Sequence, residues 1–175
     1  MPIAQINEYN TSSATETAAV SSFHFLSADV ANGDPGTYPI LLPTSDDGSY
    51  TYSYEKWWKL VFTDLQGYSS VSDVKVYVST DAPGDDKIFT SARTSGYGPP
   101  TFAAPINTVS SVANQTPSSS SPGSANIGIA GSLSGTITNL SVNSKTDYVV
   151  FQLRVDYKTY TPANSIVVFE WTETL

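Results

Sequence analysis

The chain carries one histidine, His24, and no cysteine. A Ser-His-Asp triad needs a base and an orienting carboxylate, so His24 is the single imidazole open to that role. It lies between Phe23 and Phe25 in a stretch that reads as a strand. Serine is so abundant that a hydroxyl near it carries no information, and a half-buried structural histidine is the expectation. Gly131-Ser-Leu-Ser-Gly135 has the outline of a nucleophile elbow, but Leu133 stands where the nucleophile belongs. No glycine-rich loop leads into Lys-Ser or Lys-Thr, as a phosphate loop requires. Asp46-Asp47 and Asp81, Asp85 and Asp86 are loop carboxylates whose spacing does not follow a calcium loop; solvated turns are the expectation. Glu55, Glu170 and Glu173 lie on or beside strands, without a local glycosidase signature. Glu170 turns away from Phe169 and Trp171 and reads as solvated. The absence of cysteine excludes thiol nucleophiles, thiolate metal sites and disulfides. No catalytic, cofactor-binding or metal-ligating set is assigned, and the chain reads as a non-enzyme.

The other residues that could bind something are aromatic. Residues 50–62, YTYSYEKWWKLVF, hold six aromatics among thirteen positions. Even positions place Lys56, Trp58, Leu60 and Phe62 on one face, and odd positions place Trp57, Lys59 and Val61 on the other. That period of two is a strand with one buried face. Thirteen residues exceed a usual strand, so a bend or bulge is expected near Glu55-Lys56. Trp58, Leu60 and Phe62 read as core. Trp57 is either capped by a loop or open for contact.

The surrounding elements repeat the pattern. Residues 18–26 read as a strand. Val74, Val76 and Val78 alternate with Asp73, Lys75 and Tyr77, and Val149, Phe151, Leu153 and Val155 alternate with Gln152 and Arg154. Residues 126–140 suggest two short strands around Gly131, and 108–113 a further one. Residues 165–172 close the fold with Val167, Phe169 and Trp171 on one face. Turn chemistry at 32–36 and 46–48 separates these runs, and no stretch holds a helical period with caps. The expectation is an all-β, antiparallel β-sandwich, jelly-roll-like or Ig-like, of about eight strands. Residues 18–175 form its single domain. Residues 1–17 read as an N-terminal arm, either frayed or ordering on a partner through Ile3, Ile6 and Tyr9. Residues 91–123 form a long Gly/Pro/Ser-rich loop in which Tyr97, Phe102 and Ile106 are too apolar for a solvated linker.

Composition agrees with an all-β fold. Charged residues make up only 14%, and Ser with Thr account for roughly a quarter of the chain, so polarity comes from hydroxyls. A net charge of −8 argues against nucleic acid, whose phosphates call for a basic face. No segment approaches the roughly 20 apolar residues of a membrane helix, and the start MPIAQINEYN lacks a secretory pattern. A soluble chain made in a cytoplasm is the expectation.

Residues 3–10 (IAQINEYN), the segment 32–40, Ser53-Tyr-Glu-Lys-Trp57, Ser95-Gly-Tyr97, 126–135 (NIGIAGSLSG), 147–153 (DYVVFQL) and 169–173 (FEWTE) together resemble a group of small, Cys-free, β-rich virion proteins of tailed bacteriophages. The resemblance spans nearly the whole chain, in order. It implies a structural role, most simply a capsid decoration or accessory protein that contacts the major capsid protein or other virion proteins and forms a homo-oligomer. It brings no active site to carry over; no cofactor is expected, and, from charge and composition, no nucleic acid and no membrane. The same particle's tail, neck or fibre is the alternative location. A carbohydrate-binding module, with Trp57 and Tyr97 as glycan platforms, is the alternative class. Candidate partner contacts are Ile3, Ile6, Tyr9, Trp57, Tyr97 and Phe102.

Overall fold

The computed structural model describes residues 1–10, 15–31, 33–79, 87–93, 119–157 and 165–175. These are all-β, without a helix, and form β1 (Ile3–Asn10), β2 (Thr15–Thr17), β3 (Thr51–Tyr52), β4 (Lys56–Asp64), β5 (Ser70–Val78), β6 (Lys87–Arg93), β7 (Thr136–Thr138), β8 (Tyr148–Val155) and β9 (Val167–Thr174). The pairings are antiparallel and make two sheets. The larger runs β2-β1-β4-β8, with β3 carrying the line of β4 along the same edge of β8. Phe151 pairs with both Lys56 and Thr90, so β6 must lie on the opposite edge of β8. The smaller sheet is β7-β5-β9. The two pack as a sandwich over Trp58, Leu60, Phe62, Val74, Val76, Phe151 and Leu153, with Phe169 and Trp171 closing from the small sheet. Neither the jelly-roll nor the Ig-like form of the expectation follows from this strand order.

Beside a register shift between Ile3 and Ala4 at the start of β1, two bulges set which side chains face the core. Between Tyr52↔Arg154 and Lys56↔Phe151 the pairing moves by one residue, which is the irregularity expected near Glu55. An extra residue inverts the faces beyond it. Tyr52 therefore shares the outer face with Arg154, whose guanidinium lies 4.2 Å from the ring centre of Tyr50. The buried hydroxyl of Ser53 accepts the Leu153 N–H at 3.0 Å, occupying the ladder where the strand breaks. The second bulge lies in β5 between Ser72 and Lys75. Asp73 adopts φ 50° there, a conformation that Asp tolerates better than most side chains. The extra residue lets Val71 and Val74, three apart, both enter the core.

Several expectations change. Residues 3–10 and 15–17, read as part of an arm over 1–17, belong to the large sheet: β1 lies between β2 and β4, with Ile6 opposite Leu60 and Glu8 opposite Trp58. Residues 18–26 join no ladder as a strand; Phe23 and Phe25 pack against the core, and His24 is exposed rather than half-buried. Residues 87–93 are β6, so the strand enters the segment read as loop. Of the two strands expected around Gly131, only β7 is present; Ile129 and Ser132 close a tight turn through φ 49° at Ala130 and 84° at Gly131. Residues 108–113, and with them Ile106, lie outside the described residues.

Candidate interaction site

Polar side chains inside the sandwich set up the site. Glu8 and Lys56 are 0% and 1% exposed and form an ion pair at 2.9 Å. Both lie on the inner face, Glu8 by the alternation Ile6-Glu8-Asn10 and Lys56 by the alternation Lys56-Trp58-Leu60. A buried charge is tolerable only when paired and hydrogen-bonded. Glu8 also accepts from Asn10 Nδ2 at 3.1 Å and from Trp58 Nε1 at 3.4 Å. Lys56 Nζ donates to the carbonyl of Val30 at 2.8 Å, and Asn10 Nδ2 donates to Asp29 at 3.1 Å. The network therefore reaches out of the sheet and ties down the chain around Asp29 and Val30. Tyr54 N–H donating to Leu26 O at 2.8 Å fixes the same segment from the other side. Gly33 lies against it closely enough that a Cβ would come within 2.6 Å of Leu26 and Val30.

The chain on either side of that anchored segment, at Val20 to Phe25 and from Pro35 to Leu42, lines a cleft of about 700 Å³. Val20, Phe23 and Phe25 line it together with Trp58 of β4, Leu153 and Val155 of β8, and Ile166 and Val167 at the start of β9. Phe23 stands edge-on to Trp58, their ring centres 4.3 Å apart. The polar rim comes from Ser21, Ser22, His24 and Ser165. Leu42 and Ile166 line the mouth and are 44% and 61% exposed; Leu41, next in the chain, is 72% exposed. Among the described residues, no group of three or more His, Asp or Glu side chains could hold a metal ion. Chemically the cleft offers apolar burial with a hydroxyl rim.

No family model matches the chain, and neither a curated protein nor a solved structure matches it.

The expected contact residues separate. Ile3 is exposed, while Ile6 is half-buried and lines the cleft. Tyr9 is buried on the outer face of the large sheet with Trp57, Tyr148 and Val150. Trp57 is 0% exposed, its indole N–H donating to Glu55 at 2.8 Å and its ring edge-on to Tyr148 at 5.4 Å. It is core, and offers no ring face to a glycan or a partner. Tyr97 and Phe102 lie outside the described residues. Over this second cluster Lys59 Nζ stands 4.2 Å from the Tyr148 ring centre. Burial lowers the Lys59 pKa and raises those of Tyr9 and Tyr148. Lys145 donates to Glu16 at 2.9 Å and to Tyr9 Oη at 3.2 Å. Burial opposes the Lys145 charge, but those hydrogen bonds outweigh it and raise its pKa.

Glu170 is not simply solvated. It accepts from Tyr77 Oη at 3.0 Å and from Ser121 Oγ, and these bonds lower its pKa. Asp47, at its turn, accepts from Ser45 and Ser49; those bonds lower its carboxyl pKa to about 2. Asp81, Asp85 and Asp86 lie outside the described residues. Sequence reasoning missed Glu8, whose only signal was its place in the Ile6-Glu8-Asn10 alternation.

Proposed function

We propose that this chain is a non-enzymatic virion structural protein, a capsid decoration or accessory protein that binds the shell and neighbouring copies. The observation that carries the reading is the apolar cleft with Leu41, Leu42 and Ile166 exposed about its mouth, on a chain whose surface polarity is otherwise acidic and hydroxyl-rich. Exposed apolar side chains gathered at one place mark contact sites. The surrounding acidity keeps free copies soluble before they assemble. The resemblance of residues 3–10, 126–135 and 147–153 to phage virion proteins supports the same role, and a Cys-free fold suits a chain made in a reducing cytoplasm and later exposed outside it. The virion is then its location, and the major capsid protein its first partner. The glycan reading loses its main residue, because Trp57 is buried.

The test is a quantitative mass-spectrometric copy count in purified particles. Copies in fixed proportion to the major shell protein are expected. A copy number matching the tail or neck would move the chain there, and its absence from particles would overturn the reading.

A further inference from the structure

The small sheet ends on a long edge strand whose only charges are Glu170 and Glu173. β9 has eight residues, VVFEWTET, without Lys, Arg, Pro or Gly. Edge strands are normally blunted by such residues or kept short, as the three-residue β2 and β7 are. Among the described residues β9 pairs with β5, along one edge. On that edge Ser79 N–H donates to Ile166 O at 2.9 Å and Ser69 N–H to Thr174 O at 2.8 Å. The even-numbered residues of β9 therefore direct their backbone groups at β5. Val76 turns its own away, donating to Asn126 Oδ1 at 2.7 Å and accepting from Asn126 Nδ2 at 2.8 Å. Its partner Phe169 must likewise turn away from β5. The N–H and C=O groups of Val167, Phe169, Trp171 and Glu173 thus point to the free edge, where no hydrogen bond among the described residues reaches them. The apolar cleft opens beside this edge, with Val167 in its wall.

We infer that β9 is a pairing edge for a second copy of this chain, joined antiparallel about Phe169. The sequence of the edge is self-complementary in that register. Phe169 meets the partner's Phe169, and Val167 meets the partner's Trp171, all with backbone groups facing across. Val168 meets the partner's Glu170, so the two acidic side chains never stand opposite one another, and Ile166 meets the partner's Thr172. Any register that sets Glu170 against the partner's Glu170 incurs a like-charge penalty in a chain already at −8. Two three-stranded sheets become one continuous sheet, the contact is closed by a two-fold axis, and the side of each cleft along β9 is covered. This specifies the copy-to-copy contact within the proposed structural role, yet it is tested on the free protein. Failure here leaves attachment to the shell standing.

The chain has no cysteine, so single cysteines report register cleanly. Directly opposed residues of a non-hydrogen-bonded antiparallel pair come close enough for a disulfide, whereas diagonal ones do not. Mixing V168C with E170C protein under mild oxidation is expected to give a linked dimer, and neither variant alone should link. By analytical ultracentrifugation the unmodified chain should dimerise. V168E should weaken that dimer about tenfold by placing two Glu–Glu contacts across the axis, and V168K should not weaken it. Circular dichroism of each variant checks the fold. A monomeric chain, a dimer indifferent to V168E, or linkage of V168C to itself would each overturn the inference.

Discussion

Trp57 and Trp58 are neighbours in sequence and serve two different cores. Trp58 fills the space between the sheets, and Trp57 fills a smaller cluster with Tyr9, Tyr148 and Val150 on the outer face. Each is fully enclosed, so each truncation leaves a large cavity. W57A is expected to cost about 3–5 kcal/mol, as much as W58A, in urea unfolding; a cost under about 1 kcal/mol would mean that Trp57 is a surface residue. Glu8 and Lys56 make a second residue-scale case. K56M removes one partner of a buried ion pair and should cost about 3–5 kcal/mol, because Glu8 is left without its cation. Replacing both, as E8L with K56M, should recover much of that loss. If the double variant is no more stable than K56M alone, Lys56 matters through its bond to Val30 O and not through Glu8.

At the scale of elements, the irregular positions specify the fold. The turn from Ile129 to Ser132 folds back so tightly that a Cβ on Gly135 would lie 2.2 Å from the carbonyl oxygen of Ile129. Backbone cannot move aside as a flexible side chain can. G135A is therefore expected to lower stability by about 1–3 kcal/mol or more, read as a fall in thermal midpoint. An unchanged midpoint would show that the turn relaxes freely. At the bulge between β3 and β4, S53A removes the hydroxyl that accepts the Leu153 N–H inside the large sheet. It should cost about 1–3 kcal/mol for a buried donor left unsatisfied, without altering the pairing of β4.

At the scale of the molecule, stability and attachment are separable. The sandwich core does not use Leu41 or Leu42, which stand exposed beside the cleft. The double change L41D/L42D should leave unfolding free energy within about 0.5 kcal/mol for each position. If the chain decorates a shell as proposed, the change should also abolish its binding to particles stripped of it, measured by co-sedimentation. Undiminished co-sedimentation would move the shell contact to another face.

The sequence alone determined that the chain is all-β and which faces of β4, β5 and β8 enter the core, because a period of two along a strand follows from local geometry and needs no partner. It also located the irregularity near Glu55, since a thirteen-residue alternating run is too long for one regular strand. Only the tertiary structure decided the place of residues 3–10. Their inward positions include Glu8 and Asn10, which read as solvent-facing until Lys56, Asp29 and Val30 arrive from far along the chain. The same holds for Trp57, which the sequence left either capped or open and which Tyr9 and Tyr148 enclose. The cleft and the free edge of β9 were invisible for a related reason. Alternation tells which way a side chain points, but an edge exists only once it is known which strands have neighbours, and long-range pairing alone decides that.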